Sequence, residues 1–454
     1  MTVDPGAVLA VIGDLMQAPH ADRFEHRRDV VVAVGLDGVI TAVEPRSSPA
    51  GGRLIAGAGE IVELGTSSVL MPGLVDLHVH APQWPQLGTC LDHPLEQWLD
   101  AYTFPLEARY GDPTVCGTVW PSLVSSLLAH GTTTAVYFGA NDRAATSALA
   151  AVCVDRGQRA LVGRVAMDHP AGTPEWYRDP SPSAGVDDSA RSIAEIRELD
   201  GGRDLVRPMI TPRFTPSCTD ELLAGLGELA ESTGVAVQTH CSESDWAHGY
   251  ALDRFGTTDS TALDRFGLLR PGSVVAHANH LTDDDADLLV GRRTGIAHCP
   301  LSNAYFADGV LAVRRLLDRG VGIGLGSDVA GGADPGLLRQ CGHAVTMSRV
   351  LEAGVDVRRP PGERGVAGSR IDVVTAFWMA TLGGAEVLGL PVGLIEPGRR
   401  FDAIAVDTER PPLTSWDLVG FDQPELRFEK VVRLAGPDHI RTVWVDGRQV
   451  STRR

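Results

Sequence analysis

Cysteine is scarce in this chain of 454 residues: there are seven, an odd number, scattered and never at Cys-x-x-Cys spacing. That excludes a disulfide framework and suits a reducing cytoplasm. Long apolar runs are missing too. Residues 7–12 are too few to cross a bilayer and have no basic flank before them, so they read as a first β-strand. Positive charge is in deficit, with 40 Lys and Arg against 58 Asp and Glu and a formal net charge of −18. Phosphate backbones need a basic face, so nucleic acid is excluded as a ligand and a neutral or small substrate fits better. What the chain does have is 43% hydrophobic residues and 51 glycines, the composition of a compact α/β protein. Its length exceeds what one hydrophobic core usually covers, so a large domain with an accessory unit is expected.

Strand-length apolar runs recur eight times, at 69–80, 132–138, 160–167, 205–214, 235–240, 273–277, 295–299 and 321–328. Their near-continuous Val, Ile, Leu and Ala suit parallel strands buried on both faces. Amphipathic helical stretches with recognisable ends lie between them. Thr219 reads as an N-cap followed by acidic Asp220 and Glu221, and Gly234 closes that helix. Thr282 with Asp285 opens another, and Gly320 ends the one holding Leu316 and Leu317. Eight alternations, with no dinucleotide fingerprint after the first strand, predict a distorted (β/α)8 TIM barrel over 69–389 rather than a doubly wound sheet.

The chain ends differ in style. Residues 7–68 hold short Val-rich runs split by Asp-Gly and Gly-Gly turns, and 401–406, 430–434 and 442–450 repeat the pattern. Segments 1–68 and 390–454 are therefore expected to meet in one small β-sandwich beside the barrel. Two stretches, 81–111 and the Pro-, Gly-, Ser- and Asp-rich 170–202, read as long connections on the catalytic side, where lids and interfaces form.

Functional groups of such a barrel sit at the C-terminal ends of its strands. His78 and His80 close the first run at i, i+2, so both imidazoles leave one face. The fifth run ends in His240-Cys241-Ser242-Glu243, the sixth in His277-Ala278-Asn279-His280, and the eighth in Ser327-Asp328. A lone strand-end histidine is ordinarily a hydrogen-bonded core residue. Ligand-type residues at the same end of four strands call for a site instead. Three imidazoles and a carboxylate suit Zn²⁺, and the same N/O set also accepts iron, manganese or cobalt. Glu243, three residues past His240, suits a general acid/base acting on metal-activated water. Asp328 suits a ligand that also orients the attacking oxygen, and His277 a partner that stabilises charge developing there.

These residues resemble the amidohydrolase superfamily, through Pro72-Gly73-Leu74-Val75-Asp76-Leu77-His78-Val79-His80, the His240 and His277 strand ends, and Asp328. His240-Cys241-Ser242-Glu243 is similar to its nucleobase-deaminase branch. Further segments narrow the resemblance to the guanine deaminase family. They are His80-Ala81-Pro82-Gln83, Pro94-Leu95-Glu96-Gln97-Trp98-Leu99, Tyr102-Thr103-Phe104-Pro105 and Gly131-Thr132-Thr133-Thr134. Thr211-Pro212-Arg213-Phe214, Ala297-His298-Cys299-Pro300 and Ser327-Asp328-Val329-Ala330-Gly331-Gly332 extend the likeness over essentially the whole chain. The resemblance implies hydrolysis of guanine to xanthine and ammonia, in purine catabolism, by a cytoplasmic homodimer with one Zn²⁺ per subunit. It implies His78, His80, His240 and Asp328 as metal ligands, Glu243 as proton shuttle and His277 as the assisting histidine. Gln83, Arg213 and Phe214 match the family's purine-binding positions, with His240, Glu243 and Asp328 also facing the substrate. Elementary chemistry agrees, since guanine offers a carbonyl edge to a guanidinium and a flat ring to Phe214.

Other residues near these motifs read plainly. His280 is expected at the surface or in a supporting place, and His298 packing and hydrogen bonding behind the seventh strand. Cys241 and Cys299 read as small core side chains, and His93, His130 and His343 as ordinary. Neither His-x-Glu nor Pro-Cys-x-x-Cys occurs, which excludes the other zinc deaminase fold. The residues leave two alternatives open. One is a deaminase or hydrolase of another aminated heterocycle (an oxidised purine, a pterin, a triazine, a thioether nucleoside) on the same scaffold. The other is a non-catalytic scaffold protein, in which ligand positions would be lost.

Overall fold

A computed structural model describes residues 7–307, 309–414 and 423–453. The architecture is mixed α/β. Eight parallel strands run β1 Leu74–His80, β2 Thr132–Phe138, β3 Arg159–Gly163, β4 Val206–Pro208, β5 Gln238–Cys241, β6 Val274–His277, β7 Gly295–His298 and β8 Ile323–Leu325. They pair in chain order as two four-stranded sheets, β1 to β4 and β5 to β8. Short continuations of β3 and β4, Val165–Ala166 and Thr211–Pro212, also pair in parallel. Ile210 forms a parallel bridge to Val237, between β4 and β5. Past β8, the Asp328 amide donates to the His78 carbonyl at 2.9 Å and the His80 amide to Val329 at 2.8 Å. Every residue of these strands except those ending β4 is buried, which is why they read as unbroken apolar runs.

The helix ends follow their capping chemistry. The Thr219 side chain accepts from the Leu222 amide, and Gly234 takes the left-handed conformation at φ 68° after helix Asp220–Thr233. Thr282 and Asp285 form a reciprocal capping box. Three expectations need correction. The run 69–80 divides at Gly73: Ser68–Pro72 pairs with Ala7–His20 and with Ala403–Asp407, and only Leu74–His80 joins the parallel set. A Cβ at residue 73 would collide with the Thr133 side chain, so the switch between sheets needs glycine. Residues 430–434 end the helix Pro424–Leu434 instead of forming a strand, with Phe428, Val431 and Val432 buried at helical spacing. Stretch 170–202 contains the helix Pro182–Asp200, capped by Ser181 and burying Ile193 and Ile196. Gly185, Ser189 and Ser192 share that buried face, so close packing there leaves little apolar periodicity to read.

The two chain ends meet in one mixed eight-stranded sheet. Alternate residues such as Leu9, Val11, Val30 and Val32 close with Leu70, Phe401 and Trp444 on a common core. Arg159, buried at the start of β3, ties this sheet to the parallel strands. Its Nε donates to Asp402 at 2.8 Å and its Nη2 to Asp446 at 2.5 Å. Among the described residues no helix is long and apolar enough to cross a membrane.

Candidate active site

His78, His80, His240, His277, Glu243 and Asp328 are all buried, at or just past the C-terminal ends of β1, β5, β6 and β8. His78 Nε2 lies 3.2 Å and His80 Nε2 3.7 Å from Asp328 Oδ1. His80 Nε2 approaches His240 Nε2 to 3.0 Å. His277 Nε2 stands 3.6 Å from Glu243 Oε1 and 3.9 Å from Asp328 Oδ2. The strand ends bend sharply to achieve this. Ser242, His277, Ala278 and Asp328 hold φ of 44°, 68°, 55° and 51°, a left-handed region that such residues occupy at a cost of about 1–3 kcal/mol each.

Burial holds His78, His80 and His240 well below the usual imidazole range, and neighbouring imidazoles push the same way. All three are therefore neutral and carry a lone pair. For His240 its position is defined: Nδ1 donates to the Arg213 carbonyl at 2.6 Å, leaving Nε2 bare. Burial raises Asp328 and lifts Glu243 to about 8, with Asp328 adding to the Glu243 shift and Arg213 opposing it. Nε2 of His78 and of His277 has no hydrogen-bond partner among the described residues. In the sets His78–His240–His277 and His78–His80–Asp328, donor atoms lie within 4.8 Å of one another. Buried neutral imidazoles with unpartnered nitrogens around a carboxylate fit a divalent cation.

Beside this cluster opens a small cavity, lined by His80, Gln83, Arg213, Phe214, His240, Glu243 and Asp328. Leu95, Trp98, Leu99 and Phe306 supply its apolar wall. An apolar wall with a few convergent polar groups is the lining of a small-molecule site. Arg213 follows Thr211–Pro212 and is buried, forking onto Glu107 through Nη1 to Oε2 at 2.5 Å and Nη2 to Oε1 at 3.1 Å. Gln83 donates to Glu107 Oε1 at 2.9 Å and accepts from the Ala330 amide at 3.2 Å. The Tyr177 hydroxyl donates to Glu107 Oε2 at 2.9 Å. One carboxylate thus fixes the two polar side chains of the cavity wall that lie outside the histidine–carboxylate cluster, and a guanidinium has donors to spare after one fork. Phe214 packs with ring centroids 6.0 Å from His240 and from Trp246.

Each site residue read from the sequence lies in the cluster or lines the cavity. His280 stands apart, stacked on His248 at 4.9 Å and 3.6 Å from Asp245. His298 is the last residue of β7 and is buried, its pKa pulled down to about 3 by that burial. Its Nδ1 lacks the expected hydrogen bond among the described residues. Cys241 and Cys299 are buried and free. Sequence reasoning missed Glu107, Tyr177 and Asn303. Glu107 and Tyr177 come from connections with no strand periodicity. The one available signal for Glu107 was its closeness to the family-like segment Tyr102-Thr103-Phe104-Pro105.

The amidohydrolase family model matches residues 69–450. A probable guanine deaminase of Schizosaccharomyces pombe is 36% identical over 449 residues, covering 97% of this chain and 83% of that protein. The guanine deaminase of Rattus norvegicus is 36% identical over 399 residues, covering 86% and 85%. Among solved structures, the guanine deaminase from C. acetobutylicum with bound guanine in the active site superposes with a TM-score of 0.85 at 27% identity, covering 97% of this chain and 99% of that one. A zinc-bound adenosine deaminase from Xanthomonas campestris gives a TM-score of 0.80 at 25% identity, covering 98% and 92%. Sequence match, fold and buried histidine–carboxylate cluster agree, and the chain belongs to the amidohydrolase family, where it stands beside the guanine deaminases.

Proposed function

We propose that this protein hydrolyses guanine to xanthine and ammonia, with one divalent metal, zinc, held by His78, His80, His240 and Asp328. The observation that carries the reading is a buried acid–base cluster opening on a small cavity whose polar wall, Arg213 and Gln83, is fixed by Glu107. The relatives named as guanine deaminases, one of them with guanine in its active site, support it. When bound, the metal supplies Lewis-acid chemistry that activates water near neutral pH.

The side chains do the rest. Arg213 donates to the guanine carbonyl, Gln83 pairs with the polar ring edge, and Phe214 packs on the ring face. Glu243 takes a proton from the attacking water and returns it to the exocyclic nitrogen, so that the amine leaves as ammonia. Its pKa, lifted by burial to about 8, lies near a neutral working pH, where a shuttle can both hold and release a proton. Asp328 orients the attacking oxygen, and His277 interacts with it as charge develops.

The parallel strands are read as a closed, distorted (β/α)8 barrel over 69–389, supported by their consecutive pairing and by the hydrogen bonds joining Asp328 and Val329 to β1. Residues 1–68 and 390–454 are read as the accessory β-sandwich domain, supported by the mixed sheet and common core that the described strands of both ends share, to which 69–72 also belong. A role in purine catabolism as a cytoplasmic homodimer completes the reading. The test incubates purified, zinc-loaded protein with guanine and follows ammonia and xanthine, beside adenine, cytosine and a metal-stripped control. Metal-dependent xanthine formation from guanine alone is expected. No guanine turnover despite one bound metal per chain would move the assignment to another aminated heterocycle, and lack of bound metal would favour the scaffold role.

A further inference from the structure

Behind His277 runs a chain of three hydrogen bonds. His277 Nδ1 lies 2.9 Å from Asn303 Oδ1, Asn303 Nδ2 donates to Asn279 Oδ1 at 2.8 Å, and Asn279 Nδ2 donates to the Glu243 backbone carbonyl at 2.8 Å. Its direction is fixed by chemistry at one end. A backbone carbonyl only accepts, so Asn279 must turn its NH₂ towards Glu243 and its oxygen towards Asn303. Asn303 must then turn its NH₂ towards Asn279 and its oxygen towards His277. That oxygen can only accept, so His277 carries its proton on Nδ1. In the neutral ring that one N–H is spent on Asn303, and Nε2 is left bare. Nε2 is the atom facing Glu243 at 3.6 Å and Asp328 at 3.9 Å, without a hydrogen-bond partner among the described residues.

The opposite tautomer would press two acceptors together at 2.9 Å in a buried place. Flipping Asn303 to relieve that would break its bond to Asn279. Either change leaves buried polar atoms unpaired, with neither water nor protein to satisfy them. The relay is also well anchored. Asn303 is buried and opens the helical turn Asn303–Ala307 past β7, while Asn279 follows β6 and Glu243 follows β5.

We propose that Asn303 and Asn279 are positioning residues that lock His277 in the Nδ1–H tautomer, so that His277 first meets the attacking water as a hydrogen-bond acceptor and not as a donor. The relay ends on Glu243 itself, so it also holds the proton shuttle's backbone in register with the histidine opposite. The kinetic consequence rests on the deaminase reading above, whereas the tautomer does not.

The test uses the full-length, zinc-loaded protein labelled with ¹⁵N-histidine, with the His277 resonances assigned by their loss in His277→Gln. Long-range ¹H–¹⁵N correlation is expected to show a protonated Nδ1 and a bare Nε2 at His277. A protonated Nε2 in the resting protein overturns the proposal, and that reading needs neither a variant nor a substrate. Asn303→Leu is expected to lose the single tautomer and to lower kcat roughly 10–100-fold with KM little changed. Asn303→Asp keeps an acceptor for Nδ1–H while losing the donor to Asn279, and is expected to recover the Nδ1 proton and part of the lost kcat. Equal kcat losses in the two variants, with the wild-type tautomer in both, would reduce Asn303 to packing and overturn the proposal. Failure of the wild-type protein to deaminate guanine would strike the function reading alone, because the tautomer is read independently.

Discussion

Glu107→Gln tests how substrate recognition is built, because one carboxylate serves Arg213, Gln83 and Tyr177 at once. Arg213 is 2% and Glu107 3% exposed, so water does not replace the lost charge. Removing one partner of such a buried ion pair costs about 3–5 kcal/mol, since the other charge stays buried without compensation. At this chain length the unfolding entropy converts 1 kcal/mol into about 1 °C, so the melting temperature should fall by about 3–5 °C. The cation stays 4.9 Å above the Phe104 ring, which softens the loss without restoring the fork. In the active site, weakening a charge-assisted hydrogen bond worth about 1.5–3 kcal/mol should raise KM for guanine roughly 10–100-fold, with kcat affected less. Thermal melts and steady-state xanthine formation on zinc-loaded protein measure both quantities. A lower melting temperature with unchanged KM would show that Glu107 stabilises the fold without positioning Arg213. No change in either would refute the reasoning.

Three further outcomes check the roles assigned to the site. Glu243→Gln should keep its metal by elemental analysis yet lose roughly 10²–10⁴-fold in turnover, as removal of a proton shuttle does; near-normal turnover would take Glu243 out of the mechanism. His240→Ala should lose metal together with activity, and intact metal stoichiometry in that variant would contradict its place as a ligand. Arg213→Ala should raise KM for guanine or abolish turnover, while unchanged kinetics would sink the idea that it reads the carbonyl edge.

What could be read from the sequence follows the physics of each element. The parallel strands were legible because burial on both faces leaves unbroken apolar runs, and β1 to β8 all coincide with such runs. Their polar ends stood out by contrast, so His78, His80, His240, His277 and Asp328 declared themselves. Exact strand limits did not: Gly73 moves five residues into the outer sheet for a packing reason that lies in Thr133, far along the chain. Helix Pro424–Leu434 was hidden because Val431 and Val432 look strand-like until Phe428 is counted at helical spacing. Glu107 was harder still. Nothing in its local sequence separates a carboxylate bound for a buried guanidinium from one bound for water, since the partner comes from residue 213. Long-range pairing of polar groups was the missing information.

That pairing has an order of its own. His240, at the end of β5, is oriented by the Arg213 carbonyl that follows β4. His277, ending β6, is oriented by Asn303 beyond β7. Gln83, after β1, accepts from the Ala330 amide beyond β8, and Asp76 within β1 accepts the Ser327 amide next to Asp328 at 2.9 Å. In each case the group that aims a functional side chain comes from a neighbouring strand or its following loop, not from its own segment. Hydrogen bonds between adjacent strands and hydrogen bonds that aim the chemistry are therefore interleaved at the same end of the sheets. A slip of one residue between two strands would turn a ligand to the wrong face and remove the acceptor that sets its neighbour's tautomer. The site is legible strand by strand in the sequence, but its geometry belongs to the contacts between strands.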